Sequence, residues 1–431
     1  MSIAPSEHSS QHMSDSSFGP DRARPLNFAI CLGDAFTWPF GMAFFSVSTI
    51  VPLFLRQLGA SNLIVGLFPA MLSLGYLLPG LLVAGRISRL PRAKWWLFGV
   101  AIIERIPLLA ISLLIPILGA RRPETVLFVF IGGFALHSLF LGLNQPAYWS
   151  VIGKVIPMRR RGRLFGLAGL IGGVAGFVID PVTRTLLTPS GIQSLTGFAG
   201  CFLVGTIVLT VGIVPFGLID EPISQRPSTL EAAIVRGHFL RDSAAVLGSK
   251  PAFAQMVLGQ CFISMATIAQ PFFVMDYGHR FPITSSAIAG FTAVGVVLGA
   301  FGSVAWGAWG DHRGNKGVLI VSGLLAVVSA SIAFSAPPAM AYYAIFAFNA
   351  LSAAGIGIAG YNIVMEFAGG TREIASYTAV YNAATAPFRV AAPLVGGVLA
   401  DHFGYPCVFA LSALFAATGI VFTIKMVEPR N

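Results

Sequence analysis

Seven side chains able to carry charge sit inside long apolar runs of this sequence: Asp34, Glu104, Arg105, His137, Asp180, Arg184 and Arg389. A charge at the centre of a bilayer costs at least about 2.5–3.5 kcal/mol, so each needs a partner or a water-filled cavity. Asp34 lies in the segment Gly33–Gly41 and is the candidate carboxylate for gaining and losing a proton, with Arg105 as its partner. A fixed ion pair is the alternative. His137, midway along its run, is a candidate proton relay or else a packing histidine. Asp180 and Arg184 are four apart and so share a helix face as a local pair. Glu104 and Arg105 are adjacent and diverge on a helix, so each is expected to seek a partner on another helix, in a structural role. Arg389, between Pro387 and Pro393, points to an anionic or strongly hydrogen-bonding ligand. A gating ion pair is its alternative. Trp38, Asn144, Tyr148, Gln260, Asn349, Tyr361 and Asn382 add amides and aromatics, as a polar cavity with aromatic walls or, singly, as helix–helix contacts.

The runs that carry these residues define the class. The chain has 431 residues, 55% of them apolar and 10% charged; a soluble domain has about 25% charged residues. Repeated apolar stretches of about 20 residues are bilayer spans. The fold class is an all-α polytopic membrane protein with twelve spans. They are read at 27–55, 62–84, 96–119, 124–149, 164–188, 196–218, 252–275, 285–309, 317–336, 340–365, 376–399 and 405–426. The longest connection, 219–251, holds a mildly amphipathic segment, Thr229–Leu247. It separates a six-helix bundle at 26–218 from a second at 252–427, with tails at 1–25 (polar, read as disordered) and 428–431. With both termini inside, cytoplasmic segments collect 20 of the 27 Lys and Arg and outer segments 5. That bias sets the orientation. It also accounts for the net charge of +10 as a topology signal rather than a nucleic-acid surface. The four cysteines fall singly in separate runs, and there is no metal-ligand spacing, nucleotide-phosphate loop or nucleophile elbow. No cofactor, metal or enzymatic activity is expected.

Two internal echoes sharpen the picture. Span 6 ends Gly212–Pro222 and span 12 ends Gly419–Pro429, each closing with Glu-Pro at Glu221 and Glu428. Between spans 8 and 9 lies Trp306–Gly317, WGAWGDHRGNKG, read as a tight turn that starts at Asp311. Its pattern Gly307-x-x-x-Asp311-His312-x-Gly314-x-Lys316 resembles the loop signature of the major facilitator superfamily. The resemblance covers about residues 27–428 and implies two six-helix halves in parallel repeat. It also implies a cytoplasmic charge lattice of Asp311, Arg313, Lys316, Glu366, Arg372 and Glu428 that latches the inner gate. The first-half copy, Ala84-x-x-x-Ser88-Arg89-x-Pro91-Arg92, departs from the signature at Ser88 and Pro91, and Lys154 stands where the family often has Glu. Glu221, with water, is the expected partner of Arg89 and Arg161. Gly169, Gly172, Gly173 and Gly176 on span 5, and Gly295 and Gly299 on span 8, are expected to let those helices pack closely.

The function this implies is secondary transport by alternating access, as a monomer in a prokaryotic-type inner membrane, with protons as the driver. Export of a small organic compound is the first expectation. Uptake or exchange of a small anionic metabolite through Arg389 is the second. A non-transporting sensor or assembly factor is the third.

Overall fold

The computed structural model describes residues 25–87, 89–119, 121–188, 195–223, 247–248, 250–368 and 374–428. The first tail, most of the 219–251 connection with its amphipathic segment, Ser88 and Arg372 lie outside the described residues. Within them every regular element is helical. Eleven helices are long and apolar enough to cross a membrane. The remaining span, span 1, is broken into Pro25–Ala43 and Ile50–Gln57. Span 7 carries the matching break, with Pro251–Ala266 and Phe272–Arg280 separated by a short 3-10 turn at Thr267–Ala269. Such breaks are tolerated in a membrane when neighbouring helices cover the freed backbone groups.

Several helices run past their apolar stretches. Span 4 is Pro123–Val155, span 5 Met158–Leu187, span 8 Ser285–Arg313, span 9 Asn315–Phe334, span 10 Ala341–Ala368 and span 11 Ile374–Phe403. Trp306–Gly317 is therefore mostly helix, and this corrects its reading as a loop. Asp311, His312 and Arg313 form the exposed last turn of span 8, and the turn itself is Gly314. Gly314 has φ +86 and ψ 155, a conformation open almost only to glycine. A Cβ there would also collide with the Glu428 carboxylate. Gly314→Ala is expected to destabilise the protein by about 1–3 kcal/mol, read as a lowered thermal unfolding midpoint; an unchanged midpoint would contradict this assignment of the turn.

The apolar cores show how the halves meet. The largest cluster draws on both bundles: Phe54, Phe68, Phe130 and Phe202 from the first, Phe273, Phe291, Phe346 and Phe409 from the second. It lies towards the ends of the spans away from the termini, here the far end. Towards the other end, here the terminal end, each bundle keeps its own core. Ile30, Leu97, Val151 and Phe216 belong to one, and Phe253, Val318, Ile363 and Tyr381 to the other. Burial of apolar area thus joins the bundles at the far end and leaves them as separate bodies at the terminal end.

Candidate functional site

Polar ties reinforce the far-end closure. The hydroxyls of Thr49 and Thr292 meet at 2.8 Å, buried between spans 1 and 8. Asp401, near the end of span 11, accepts from the backbone N–H groups of Asn62 and Leu63 at 3.1 Å each and from the Asn62 amide at 2.9 Å. It caps the N-terminus of span 2 from the opposite bundle, where helix N–H groups favour an anion. In the symmetry-related place, Thr188 ending span 5 meets Ser285 opening span 8 at 3.0 Å. Gly66 abuts the Pro393 carbonyl, and Gly173 and Gly176 take up Ala300 and Val297 of span 8. Gly295 and Gly299 have no such neighbour, so the close approach on span 8 is not made by its glycines.

On the terminal side of these ties lie two adjoining cavities. One, of about 370 Å³, lies between the bundles and is lined by Trp38, Met42, Leu72, Tyr76, Tyr361 and Arg389 among others. The other, of about 220 Å³, lies within the first bundle and is lined by Asp34, Glu104, Arg105, Asn144, Gln145 and Tyr148 among others. Trp38, Tyr76 and Leu141 line both and form the partition.

In the first-bundle chamber Asp34 is 6% exposed, beside the Tyr148 hydroxyl and within electrostatic reach of Arg105. Arg105 and Glu104 contradict the expectation drawn from their adjacency. Their side chains pair directly, Nη1 to Oε2 at 2.8 Å, and the same Nη1 donates to the Ala101 carbonyl at 3.1 Å. The long arginine stem bends back along its own helix and gives Glu104, 1% exposed, a counter-ion. Glu104 also reaches span 4, with Oε1 3.3 Å from His137 Nδ1. His137 is fully buried and stacks on Trp38 with ring centres 6.4 Å apart, while Arg105 lies over the same Trp38 ring at 5.7 Å. Span 3 thus contributes two cavity-lining charges and is more than a support.

Across the partition, Arg389 donates to the Tyr381 hydroxyl at 3.2 Å. Among the described residues it has no carboxylate within ion-pair distance. Tyr361 donates to Asn382 at 3.0 Å and holds one wall. Gln260, Asn349 and Asn382 line neither cavity; Gln260, 1% exposed, is packed behind Tyr381 and Gly360. Asp180 and Arg184 form the local pair expected of them, at 3.0 Å, away from both cavities.

Of the expected terminal-end lattice, Arg372 lies outside the described residues, while Lys316, Glu366 and Glu428 lie beside the turn at Gly314. Lys316 donates to the Met426 carbonyl at 2.7 Å, and Asn315 donates to Glu366 at 2.6 Å. These bonds of Lys316 and Glu366 run to main chain and to an amide rather than from cation to carboxylate. In the first half Glu221, 1% exposed, accepts from the N–H groups of Ala93 and Lys94 at 2.9 and 2.8 Å and pairs with Lys154 at 2.7 Å. Lys94 donates to the Ile219 carbonyl at 2.7 Å. The symmetry is close, since Ile219 and Met426 each lie two residues before the Glu of a Glu-Pro pair. Glu221 therefore serves Lys154 and the start of span 3, not Arg89 and Arg161 as expected. Arg161 instead donates to the Ile156 and Gly153 carbonyls, and Arg89 is exposed. Glu221→Gln leaves Lys154 and one helix N–H without an anionic acceptor. It should cost about 1.5–3 kcal/mol, seen as a lower unfolding midpoint; stability equal to wild type would refute this role.

Sequence reasoning missed one cluster. Asp276, 2% exposed, accepts from Arg280 at 3.0 Å and from the Tyr342 hydroxyl. Arg56 of the first bundle donates to the neighbouring Met275 carbonyl at 3.4 Å. The segment Met275–Arg280 looks like a loop in composition, yet it is the final turn of span 7 under the far-end aromatic cluster.

The sequence profile described as Major Facilitator Superfamily matches residues 34–386 and 285–431. The chain belongs to the major facilitator superfamily. Solved structures agree on the fold. A D-xylose–proton symporter is 14% identical at a TM-score of 0.67, covering 94% of this chain and 98% of that one. A nucleoside transporter is 12% identical at 0.66, covering 94% and 100%. A bacterial homologue of the human lysosomal transporter Spinster, inward-facing and unoccupied, is 16% identical at 0.61, covering 95% and 96%. No curated protein matches the sequence. This superfamily member is an integral membrane protein of the twelve-helix type and a secondary transporter of a small molecule.

Proposed function

We propose that this transporter couples a proton, carried by Asp34, to a substrate bearing an anionic or strongly hydrogen-bond-accepting group held by Arg389. The carrying observation is Arg389 on the wall of the inter-bundle cavity, with no carboxylate at ion-pair distance among the described residues. An arginine within a membrane span, half-buried and without a counter-ion, is costly unless a ligand or water supplies one. That favours an anion-bearing substrate over the general organic export expected first. With the termini in the cytoplasm, as the basic excess of the loops supports, the joined far end is the outer gate and the cavity faces inward. Closing the terminal end over the loaded site and parting the far-end ties would complete one half-cycle.

Reconstitution tests this reading. Proteoliposomes containing the protein are expected to take up or exchange an anion-bearing substrate. Absence of any substrate or proton movement, with partner proteins co-purifying, would favour the sensor or assembly factor instead. Arg389→Gln is expected to weaken binding of anion-bearing ligands by about tenfold or more and to spare neutral ones. Equal loss for both would remove the argument for an anion.

A further inference from the structure

The two cavities present groups of opposite charge type, a carboxyl in one and a guanidinium in the other. In the first-bundle chamber Glu104 has Arg105 in contact at 2.8 Å, and among the described residues no cation lies within ion-pair distance of Asp34. The same chamber is lined by Asn144, 7% exposed, whose carbonyl oxygen is buried without a hydrogen-bond partner. The chamber therefore offers one carboxylate and one vacant acceptor. The inter-bundle cavity offers a guanidinium. Trp38, Tyr76 and Leu141 each border both spaces. An aromatic partition stabilises a cation that lies against it.

Resting on the transport reading above, we propose that the substrate is a small zwitterion. Its amine or quaternary cation is held by Asp34 and Asn144, and its carboxylate or equivalent single anion by Arg389. A singly charged ligand leaves one of the two intramembrane groups without a counter-charge, and a neutral one leaves both. A zwitterion spanning the partition balances the two sides at once. It also gives the substrate contacts on both bundles, so that binding bears on how the halves sit together.

The test is a thermal-shift and binding panel on the full-length protein in detergent. The probes are the twenty amino acids, 4-aminobutyrate, glycine betaine, and dialanine and diphenylalanine. Each amine-bearing probe without an ionisable side chain is accompanied by its N-acetyl form (anion only), its amide (cation only) and its N-acetyl amide (neutral). At least one zwitterion is expected to bind about tenfold or more tightly than its own singly charged forms. Arg389→Gln should bring the zwitterion level with its amide, and Asp34→Asn should bring it level with its N-acetyl form. Circular dichroism of both variants must match wild type; if either fails to fold, Arg389→Lys and Asp34→Glu stand in, with the preference reduced but kept. If no zwitterion stabilises the protein, or if singly charged or neutral forms bind as well, the proposal is overturned. Flux of a singly charged or neutral compound through proteoliposomes would overturn it while leaving the transport reading intact. Absence of any flux counts against the transport reading itself.

Discussion

Asp34→Asn is expected to abolish proton-driven accumulation of substrate in proteoliposomes while substrate exchange persists, at a raised half-saturating concentration. Asp34 is on span 1, nine residues before that helix breaks at Ala43, and it faces the first-bundle chamber beside Tyr148. Arg105, the cation acting on it among the described residues, is in contact with Glu104, so the two carboxylates share this guanidinium. Such a shared set can accept one further positive charge, either a proton or a charged group on a ligand. An amide at position 34 keeps a hydrogen-bond acceptor in place but takes no proton in the working range. Exchange needs only that the loaded site alternate between the two sides. Net accumulation against a gradient needs the empty site to return with a different proton count. Counterflow and pH-jump uptake on the same vesicles separate the two. Undiminished pH-driven accumulation in the variant would remove Asp34 from the coupling role and turn attention to Glu104 and His137.

Much of this arrangement could be read before any coordinates, and the reason is the bilayer. Apolar length gives the spans because no other spanning solution exists for a single chain of this composition. Arg389 stood out because a lone arginine in such a run is costly, and it is the residue that lines the inter-bundle cavity. The unread parts share a different cause, namely that composition ends a span where hydropathy falls while helices continue. Asp276, Arg280 and Asp401 lie beyond the apolar stretches of spans 7 and 11, and each is helical and bonded there. Asp311 was misplaced for the same reason. The adjacency of Glu104 and Arg105 misled in another way, because helix geometry fixes where Cβ points but not where a long, flexible side chain ends.

Lys154 shows how a local departure becomes intelligible. Its position is one where the family often carries Glu. The pairing of Lys154 with buried Glu221 explains the exchange of sign, since Glu221 already caps the start of span 3 and takes the lysine as its counter-ion. In the second half the corresponding ends are tied by Lys316 to the Met426 carbonyl and by Asn315 to Glu366. Each half is thus stitched internally at its terminal end by its own set of bonds. The named cross-bundle ties lie elsewhere, which makes the terminal end the one free to part in this conformation.

Asp401→Ala is accordingly expected to shift the population away from the conformation described here, towards one open at the far end, by about 5–30-fold. One aspartate supplies the acceptors for two backbone N–H groups and one side-chain amide on the opposite bundle. Capping a helix N-terminus is worth about 0.5–2 kcal/mol; Asp401 serves three donors rather than one, which puts the figure at about one to two and corresponds to the stated factor. In the alternative conformation span 2 and span 11 separate there, and both Asp401 and the Asn62 amides are hydrated, so the substitution leaves that state nearly untouched. The free-energy change therefore falls on one side of the equilibrium, as a population shift requires. The symmetry-related Thr188–Ser285 contact joins two neutral hydroxyls, so Thr188→Ala should move the equilibrium less. Pulsed electron-electron resonance distances between spin labels at the far ends of spans 2 and 11 report the outcome. A distance distribution in Asp401→Ala that matches wild type would show that burial across the shared aromatic core, rather than this charged cap, holds the far end shut.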